Sequence, residues 1–276
     1  MHVSFRHIVG VCFLMAGAVC RTAAGEWDVV SAKHFLVYHM DTERVAAAWA
    51  RRAETEYRRI RKDLGLTKYD EFWLWDKRIR IFVYPSRREF LEDSGAPAWA
   101  AGKASYGARE IATFAKSEDF LQSVLPHELT HLVLRDFMGM EGDAPLWLHE
   151  GVAQWEEPGV RRHAHRDARR LLRRNRLLPV RELADVTSTD LQGPQRAVLF
   201  YKQSVSLVGY LMEVYGADRF RVFCGHLRDG KGLEEALRFT YPGTVRTIQE
   251  LEEGWIRFLQ EGGSSPDMRQ GEGGKP

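Results

Sequence analysis

The sequence is poor in cysteine, nearly balanced in charge, and without a hydrophobic run long enough to span a membrane. Three cysteines in 276 residues are too few for a disulfide-stapled scaffold. A formal charge of +2, from 40 basic and 38 acidic side chains, argues against a dedicated nucleic-acid-binding protein. The apolar stretch at residues 8–19 has 12 residues, against the roughly 20 that a transmembrane helix needs. The sequence therefore predicts a globular protein with no transmembrane segment and no nucleic-acid partner.

The first 25 residues have the pattern of a signal peptide. Arg6 precedes the apolar stretch, and the small residues at 22–25 offer a cleavage site. This pattern predicts a signal peptide at residues 1–25 and a mature protein that is secreted or periplasmic. A buried N-terminal helix is the alternative interpretation of the same residues.

Two of the three cysteines lie inside this segment. Cys20 ends an imperfect lipobox, residues 17–20, in which Val19 is larger than the usual small residue. A lipid anchor at Cys20 is therefore an alternative to simple cleavage. Removal of the leader, which also contains Cys12, leaves Cys224 as the one cysteine of the mature chain. A single thiol forms no internal disulfide, so the mature fold must be stable through its core alone.

Strand-like segments come first in the chain, and helix-like segments follow. Runs of β-branched and aromatic residues predict strands at 27–30, 35–38 and 78–84, with one or two more between 96 and 115. An amphipathic helix is expected from Asp41 to Leu64. After residue 117 the patterning is helical, with candidate helices at 118–137, 145–156, 161–177, 195–215, 217–228, 232–240 and 244–260.

This order predicts an α+β protein, in which a small N-terminal mixed β-sheet with helices precedes an all-helical C-terminal part. One domain is expected over residues 26–261. Residues 262–276 are mostly Gly, Ser, Pro and charged residues with little to bury. We expect this tail to be disordered.

The candidate metal-binding and catalytic motif of the sequence is H-E-x-x-H at residues 127–131. Residues four apart on an α-helix are rotated by about 400°, so His127 and His131 project from one face, as two ligands of one metal ion must. Glu128 lies about 100° round the helix, where a carboxylate beside such an ion can take a proton from water. A histidine pair on a helix is more often structural, so a third ligand is needed to decide.

Glu150 supplies a candidate third ligand. It follows His131 with 18 residues between them, and it lies in L-W-L-H-E-G-V-A at residues 146–153. The apolar residues of this segment predict a partly buried helix. A carboxylate on a buried helix face needs compensation, which a metal ion provides. A solvated glutamate is the alternative.

The combination of H-E-x-x-H, 18 residues, and a glutamate within W-L-x-E-G-x-A resembles the gluzincin metallopeptidases of the peptidase MA clan. It is most similar to the small bacterial peptidase MA-like domains, and it shares its spacing with aminopeptidase N-type enzymes. Weaker similarities, among them Y-K-Q-S at 201–204, extend the resemblance over residues 26–260. The resemblance implies a zincin-like metallopeptidase fold, a peptide or protein substrate, and hydrolysis of peptide bonds.

By this resemblance, the two histidines of the motif and Glu150 bind one Zn²⁺ ion and leave a position open for water. Glu128 is then the general base, which accepts a proton from that water and passes it to the leaving amine. Relatives often stabilise the oxyanion with a tyrosine on a later helix. Tyr201 is the favoured candidate for this role and Tyr210 is the competitor. Packing of both tyrosines in the core is the alternative.

The resemblance also concerns substrate binding. In larger relatives a glycine-rich edge strand pairs with the substrate backbone. Gly102 lies 25 residues before His127, at the distance where such a strand is expected. The chain lacks the acidic residue that aminopeptidases place there to bind a free amino terminus, unless Glu110 serves. Aminopeptidase specificity therefore does not follow from the resemblance.

Two other functions fit the same sequence. A catalytically inactive member of the fold would use the metal or the cleft only for binding or structure. The run at residues 161–176 contains eight arginines and one aspartate, which offers a basic surface to a polyanion. Ala164 and Ala168 recur at helical spacing in this run, so a solvated amphipathic helix is the simpler interpretation.

Overall fold

The computed structural model describes residues 27–40, 43–67, 73, 77–96, 100–115, 117, 120–139, 145–191 and 193–262. The chain divides into two compact units. The sheet unit contains the described residues up to Lys62 and those from Thr67 to Val133. The helical unit contains Asp63–Leu66 and the described residues from Leu134 onward. The expectation of a single domain over 26–261 stays a prediction.

The sheet unit is built on a five-stranded mixed sheet. Its strands are β1 (Asp28–Ser31), β2 (Phe35–His39), β3 (Ile79–Tyr84), β4 (Gly102–Ser105) and β5 (Glu110–Phe114), in the spatial order β1-β2-β3-β5-β4. The three central strands run parallel, while β1 and β4 pair antiparallel at the two edges. The predicted strands and the mixed character of the sheet are confirmed.

Local signals in the sequence determine where the first helices begin and end. These helices are α1 (Glu43–Asp63), α2 (Arg87–Ser94) and α3 (Leu125–Met138). Ser86 caps α2, because its hydroxyl accepts a hydrogen bond from the backbone N–H of Glu89. Gly95 ends α2 in the left-handed conformation that glycine adopts readily. A π-helical turn at Phe120–Val124 leads into α3.

The helical unit consists mainly of short helices around one long one. They are α4 (Leu146–Trp155), α5 (Pro158–Arg161), α6 (Ala164–Leu172), α7 (Val180–Asp185), α8 (Pro194–Tyr215), α9 (Ala217–Arg228), α10 (Leu233–Thr240) and α11 (Ile248–Gln260). The C-terminal part is therefore helical in its described residues, as the sequence predicts. The fold is α+β and is consistent with a zincin-like domain.

The prediction of one helix over 161–177 is wrong. The helix is interrupted between Arg161, where α5 ends, and Ala164, where α6 begins. After α6, Asn175 adopts a positive φ of 51°, which an α-helix does not accommodate. The sequence also fails to predict α7 and a 3₁₀ turn at Ser188–Leu191, because elements this short show no clear period.

Two glycines allow α4 and α8 to approach each other closely. A Cβ atom at Gly151 of α4 would lie 2.6 Å from the backbone oxygen of Ser204 on α8. A Cβ atom at Gly209 of α8 would collide with the ring of Trp155 on α4. The α4–α8 contact therefore depends on the absence of side chains at these two positions.

A partly buried polar network joins α6, α8 and α11. His165 Nδ1 of α6 lies 3.0 Å from Ser206 Oγ of α8, and the same oxygen accepts a hydrogen bond from Trp255 Nε1 of α11 at 3.1 Å. His165 Nε2 lies 3.2 Å from Glu213 Oε2, also on α8. The histidine thus has a packing role inside the helical unit, because its two ring nitrogens meet polar atoms of the same neighbouring helix.

Several sequence predictions concern residues outside the described part of the chain. These are the signal peptide at 1–25, lipidation at Cys20, the helix start at Asp41, and the tail from residue 263 onward. They stay predictions. Among the helices of the described residues, none combines the length and the apolar character that crossing a bilayer requires.

We expect Cys224 to be inert in the folded protein. The side chain is buried on α9 and burial raises the pKa of its thiol to about 12, so the reactive thiolate is scarce at neutral pH. In a chain beginning at residue 26, a disulfide reagent such as DTNB should label no thiol under native conditions and one thiol in denaturant. Rapid labelling of the native protein would contradict this prediction.

Candidate metal centre

The two histidines of H-E-x-x-H lie one turn apart near the start of α3. His127 and His131 are buried, with 2% and 7% of their surfaces exposed. Their Nε2 atoms are 3.2 Å apart and their rings meet edge to face at a centroid distance of 4.8 Å. The helical spacing therefore brings both imidazoles to one point, as the sequence predicts.

Glu150 of α4 belongs to the same group. His127, His131 and Glu150 each offer a ligand atom, and these atoms all lie within 4.8 Å of one another. Glu150 is 5% exposed, so the alternative of a solvated glutamate is wrong. Burial lowers the pKa of the adjacent His149, which keeps that imidazole neutral at neutral pH. The three residues are positioned as a candidate metal site.

The separation of the two ring nitrogens fits a shared metal ion. Zn–N bonds of about 2.0–2.1 Å at a tetrahedral angle place two ligand nitrogens about 3.3–3.4 Å apart. The observed Nε2–Nε2 distance of 3.2 Å is close to this value. A buried carboxylate beside two imidazoles supplies the negative charge that a divalent cation needs. The donor set of two histidines and one carboxylate suits zinc.

Glu128 follows His127 on α3, and its carboxylate is held by Tyr106. Its Oε2 atom accepts a hydrogen bond from the hydroxyl of Tyr106 at 3.1 Å. The Tyr106 ring also meets the His131 ring edge to face at 5.8 Å. Tyr106 lies in the turn between β4 and β5, and only its place after the predicted edge strand could have drawn attention to it.

The two candidate oxyanion tyrosines lie on α8 in different surroundings. Tyr201 is buried and lies one turn before Ser204, whose backbone faces Gly151 of α4. The Tyr210 hydroxyl lies 3.1 Å from the Tyr215 hydroxyl. Burial together with this contact raises the pKa of Tyr210 far above its ordinary value.

Glu110 does not have the setting of a residue that binds a free amino terminus. It lies on β5 with 2% of its surface exposed, and its Oε1 atom is 2.9 Å from the guanidinium of Arg80. The carboxylate is therefore already neutralised by an ion pair. The role that the sequence left open for Glu110, binding of a free amino terminus, stays a prediction that the ion pair with Arg80 does not favour.

The arginine run forms the solvent side of α5, α6 and the turns next to them. Ala164 and Ala168 are buried, as their spacing predicts, while most of the arginines are exposed. Asp167 lies 3.9 Å from Arg166 and 3.6 Å from Arg170. This arrangement is that of an amphipathic helix with a solvated basic face.

The fold and the site together define a class of protein. A mixed sheet followed by helices, with a buried group of two histidines and a glutamate, is consistent with a zincin-like α+β domain. Residues 73–261, more than half of the chain, match the family described as the peptidase MA superfamily. The chain belongs to this superfamily. No curated protein matches it.

Family membership supports a protease-like enzyme and a metal-dependent site in general terms. The match begins at residue 73, so the part of the resemblance that precedes it stays a prediction.

Proposed function

We propose that this protein is a zinc-dependent peptidase of the gluzincin type that hydrolyses peptide bonds in a peptide or protein substrate. The observation that carries the proposal is the convergence of His127, His131 and Glu150, whose ligand atoms lie within 4.8 Å of one another. These three residues would hold one Zn²⁺ ion. Glu128 would be the general base.

A bound zinc ion would supply Lewis acidity, which activates a water molecule and polarises the scissile carbonyl. Glu128 takes a proton from the attacking water and delivers it to the nitrogen of the leaving amine. Its position on the helix that carries both histidines supports this role, since one turn of α3 holds the ligands and the base at fixed separations. The C–N bond breaks as the amine receives the proton.

Tyr201 would donate a hydrogen bond to the oxyanion that forms on the substrate. The setting of Tyr210 supports this choice, because the Tyr210 hydroxyl is paired with Tyr215 and a Cβ atom at Gly254 of α11 would collide with it. The Tyr210 hydroxyl thus contacts Tyr215 and packs against α11, which favours Tyr201 as the donor to the oxyanion.

The edge strand β4 would align the substrate. Among the strands of the described residues, β4 pairs only with β5, and an edge strand of this kind can add an extended peptide through its backbone N–H and C=O groups. Gly102 begins this strand and lies against Phe120 and Val124 of the π-helical turn, which leave no room for a Cβ atom. The turn that precedes α3 is thereby packed directly against the strand.

The alternative is a catalytically inactive domain of the same fold that uses the site for binding or structure. It would keep the metal ligands and would differ only in lacking turnover.

We further propose, from the leader sequence, that the protein is secreted or periplasmic.

Metal content tests the proposal most directly. We expect purified protein to contain one zinc ion per chain and His131→Ala to contain almost none, because loss of one of three ligands lowers metal affinity by orders of magnitude. Elemental analysis after dialysis against a weak chelator measures this content. His163→Ala, at the N-cap of α6, is the matched control and should keep its zinc.

Equal zinc content in wild type and His131→Ala would refute the metal site. Zinc in the wild type without cleavage of any peptide in a diverse quenched-fluorescent library would instead support the inactive alternative.

A further inference from the structure

We propose that Tyr106 is a positioning residue for Glu128. The inference rests on the proposed peptidase function and adds to it a residue that neither the motif nor the family match identifies. Its basis is the hydrogen bond that the Tyr106 hydroxyl donates to Glu128 Oε2 at 3.1 Å. The hydroxyl fixes one carboxylate oxygen, so that the other oxygen takes the proton from water.

Tyr106 is itself held by a well-anchored turn. The backbone N–H of Arg109 donates to the Tyr106 carbonyl at 3.2 Å, which closes a four-residue turn between β4 and β5. Arg109 adopts a positive φ of 57°, and its Nε donates to the Lys77 carbonyl at 3.0 Å. The guanidinium of Arg80 donates to the Ala108 carbonyl at 2.9 Å.

These bonds connect the turn to β3, so the tyrosine is presented from the sheet and not from a loose loop. Arg80 on β3 holds the hairpin at two points, because it bonds to the Ala108 carbonyl in the turn and pairs with Glu110 at the start of β5. The Tyr106 side chain is half-buried, and its ring packs against the His131 ring at 5.8 Å. One end of the Tyr106–Glu128 hydrogen bond therefore lies on α3, and the other lies on a turn that hydrogen bonds connect to the sheet.

A fixed carboxylate matters because glutamate has several rotatable bonds. A general base must lie within hydrogen-bond reach of the proton that it accepts, and a displacement of about 1 Å in a reacting group lowers the rate by about 10²-fold. A donor on one oxygen removes rotational freedom without blocking the other oxygen. Tyr106 transfers no proton in this scheme, because Glu128 both accepts the proton from water and releases it to the amine.

The first experiment tests the hydrogen bond in metal-free protein, where activity plays no part. Thermal unfolding is measured for wild type, Tyr106→Phe, Glu128→Ala and the double variant. We expect Tyr106→Phe to lower the Tm by about 2–4 °C when Glu128 is present. In the Glu128→Ala background the same change should have an effect of about 1 °C or less. Tyr38→Phe on β2 is the control and should shift both backgrounds equally.

The second experiment tests the consequence for catalysis in zinc-loaded protein, with a peptide that the wild type cleaves. Tyr106→Phe should lower kcat about 10-fold and leave KM within about twofold. Zinc content by elemental analysis should remain one ion per chain, because Tyr106→Phe keeps the ring that packs against His131 and leaves the three candidate ligands unchanged. A purely structural role would lower zinc content or raise KM as well.

The outcomes separate this inference from the function on which it rests. Equal Tm shifts in the two backgrounds overturn the inference, whether or not the protein cleaves peptides. The inference is also overturned if the Tm effect of Tyr106→Phe depends on Glu128 but the same substitution leaves kcat unchanged. A wild type that binds zinc and cleaves nothing overturns the proposed function, while the Tm cycle still decides whether the hydrogen bond exists.

Discussion

Replacement of Glu128 by glutamine is expected to lower kcat for peptide hydrolysis by about 10²- to 10⁴-fold, the usual contribution of a general acid–base residue. Glutamine has the size of glutamate but accepts no proton at neutral pH. Its carbonyl oxygen can still accept the hydrogen bond from Tyr106, so the local geometry should persist. Zinc content should stay at one ion per chain, because Glu128 is not one of the three candidate ligands.

Steady-state kinetics on a cleaved peptide, with zinc measured on the same preparations, checks this expectation. Glu92→Gln on α2 is the matched control, because the Glu92 side chain is 65% exposed and lies 3.9 Å from the Arg88 guanidinium in a weak ion pair. It should retain full activity. Hydrolysis by Glu128→Gln at the wild-type rate would exclude Glu128 as the base and would direct attention to another proton acceptor.

The sequence was sufficient for those parts of the site that depend on local geometry. His127 and His131 are brought together by the pitch of one helix, which acts over four residues. Helix geometry does not predict the position of Glu150 relative to the two histidines. The 18 residues between His131 and Glu150 do not determine how far apart α3 and α4 lie in space. The resemblance to a known family supplied that step, and the arrangement of the three ligand atoms agrees with it.

Tyr106 illustrates what a single sequence does not reveal. It lies 22 residues before Glu128, in a hairpin whose turn is fixed by bonds to β3. No periodic pattern relates a turn residue to a helix residue at that separation. The contact arises because the edge hairpin of the sheet and the start of α3 pack together, which is a tertiary effect.

Fold prediction succeeded where elements were long or strongly patterned. The strands near residues 35 and 80 and the helix α9 were predicted to within one or two residues. The interruption between α5 and α6 was missed because an arginine-rich segment has high helix propensity throughout. Pro158 starts a short helix there, and packing then determines that a second one begins at Ala164.

Gly151→Ala is expected to destabilise the protein and to weaken zinc binding together. The added Cβ atom would lie 2.6 Å from the Ser204 carbonyl oxygen, whereas real Cβ contacts are much longer. That oxygen belongs to the backbone in the interior of α8, so it has no rotamer by which to move aside. α4 and α8 must separate, at a cost of about 1–3 kcal/mol, which corresponds to a Tm lower by about 2–10 °C.

The effect on zinc follows from the position of Glu150, which immediately precedes Gly151 on α4. A shift of α4 moves this carboxylate away from the two imidazoles, so the zinc dissociation constant measured by chelator competition should rise at least about 10-fold. Gly225→Ala on α9 is the matched control, because a Cβ atom there meets nothing within 4 Å. Alanine favours a helix over glycine by about 1 kcal/mol, so this control should raise the Tm and leave zinc affinity unchanged. If Gly151→Ala instead behaved like Gly225→Ala, the close α4–α8 contact would not be what holds Glu150 in place.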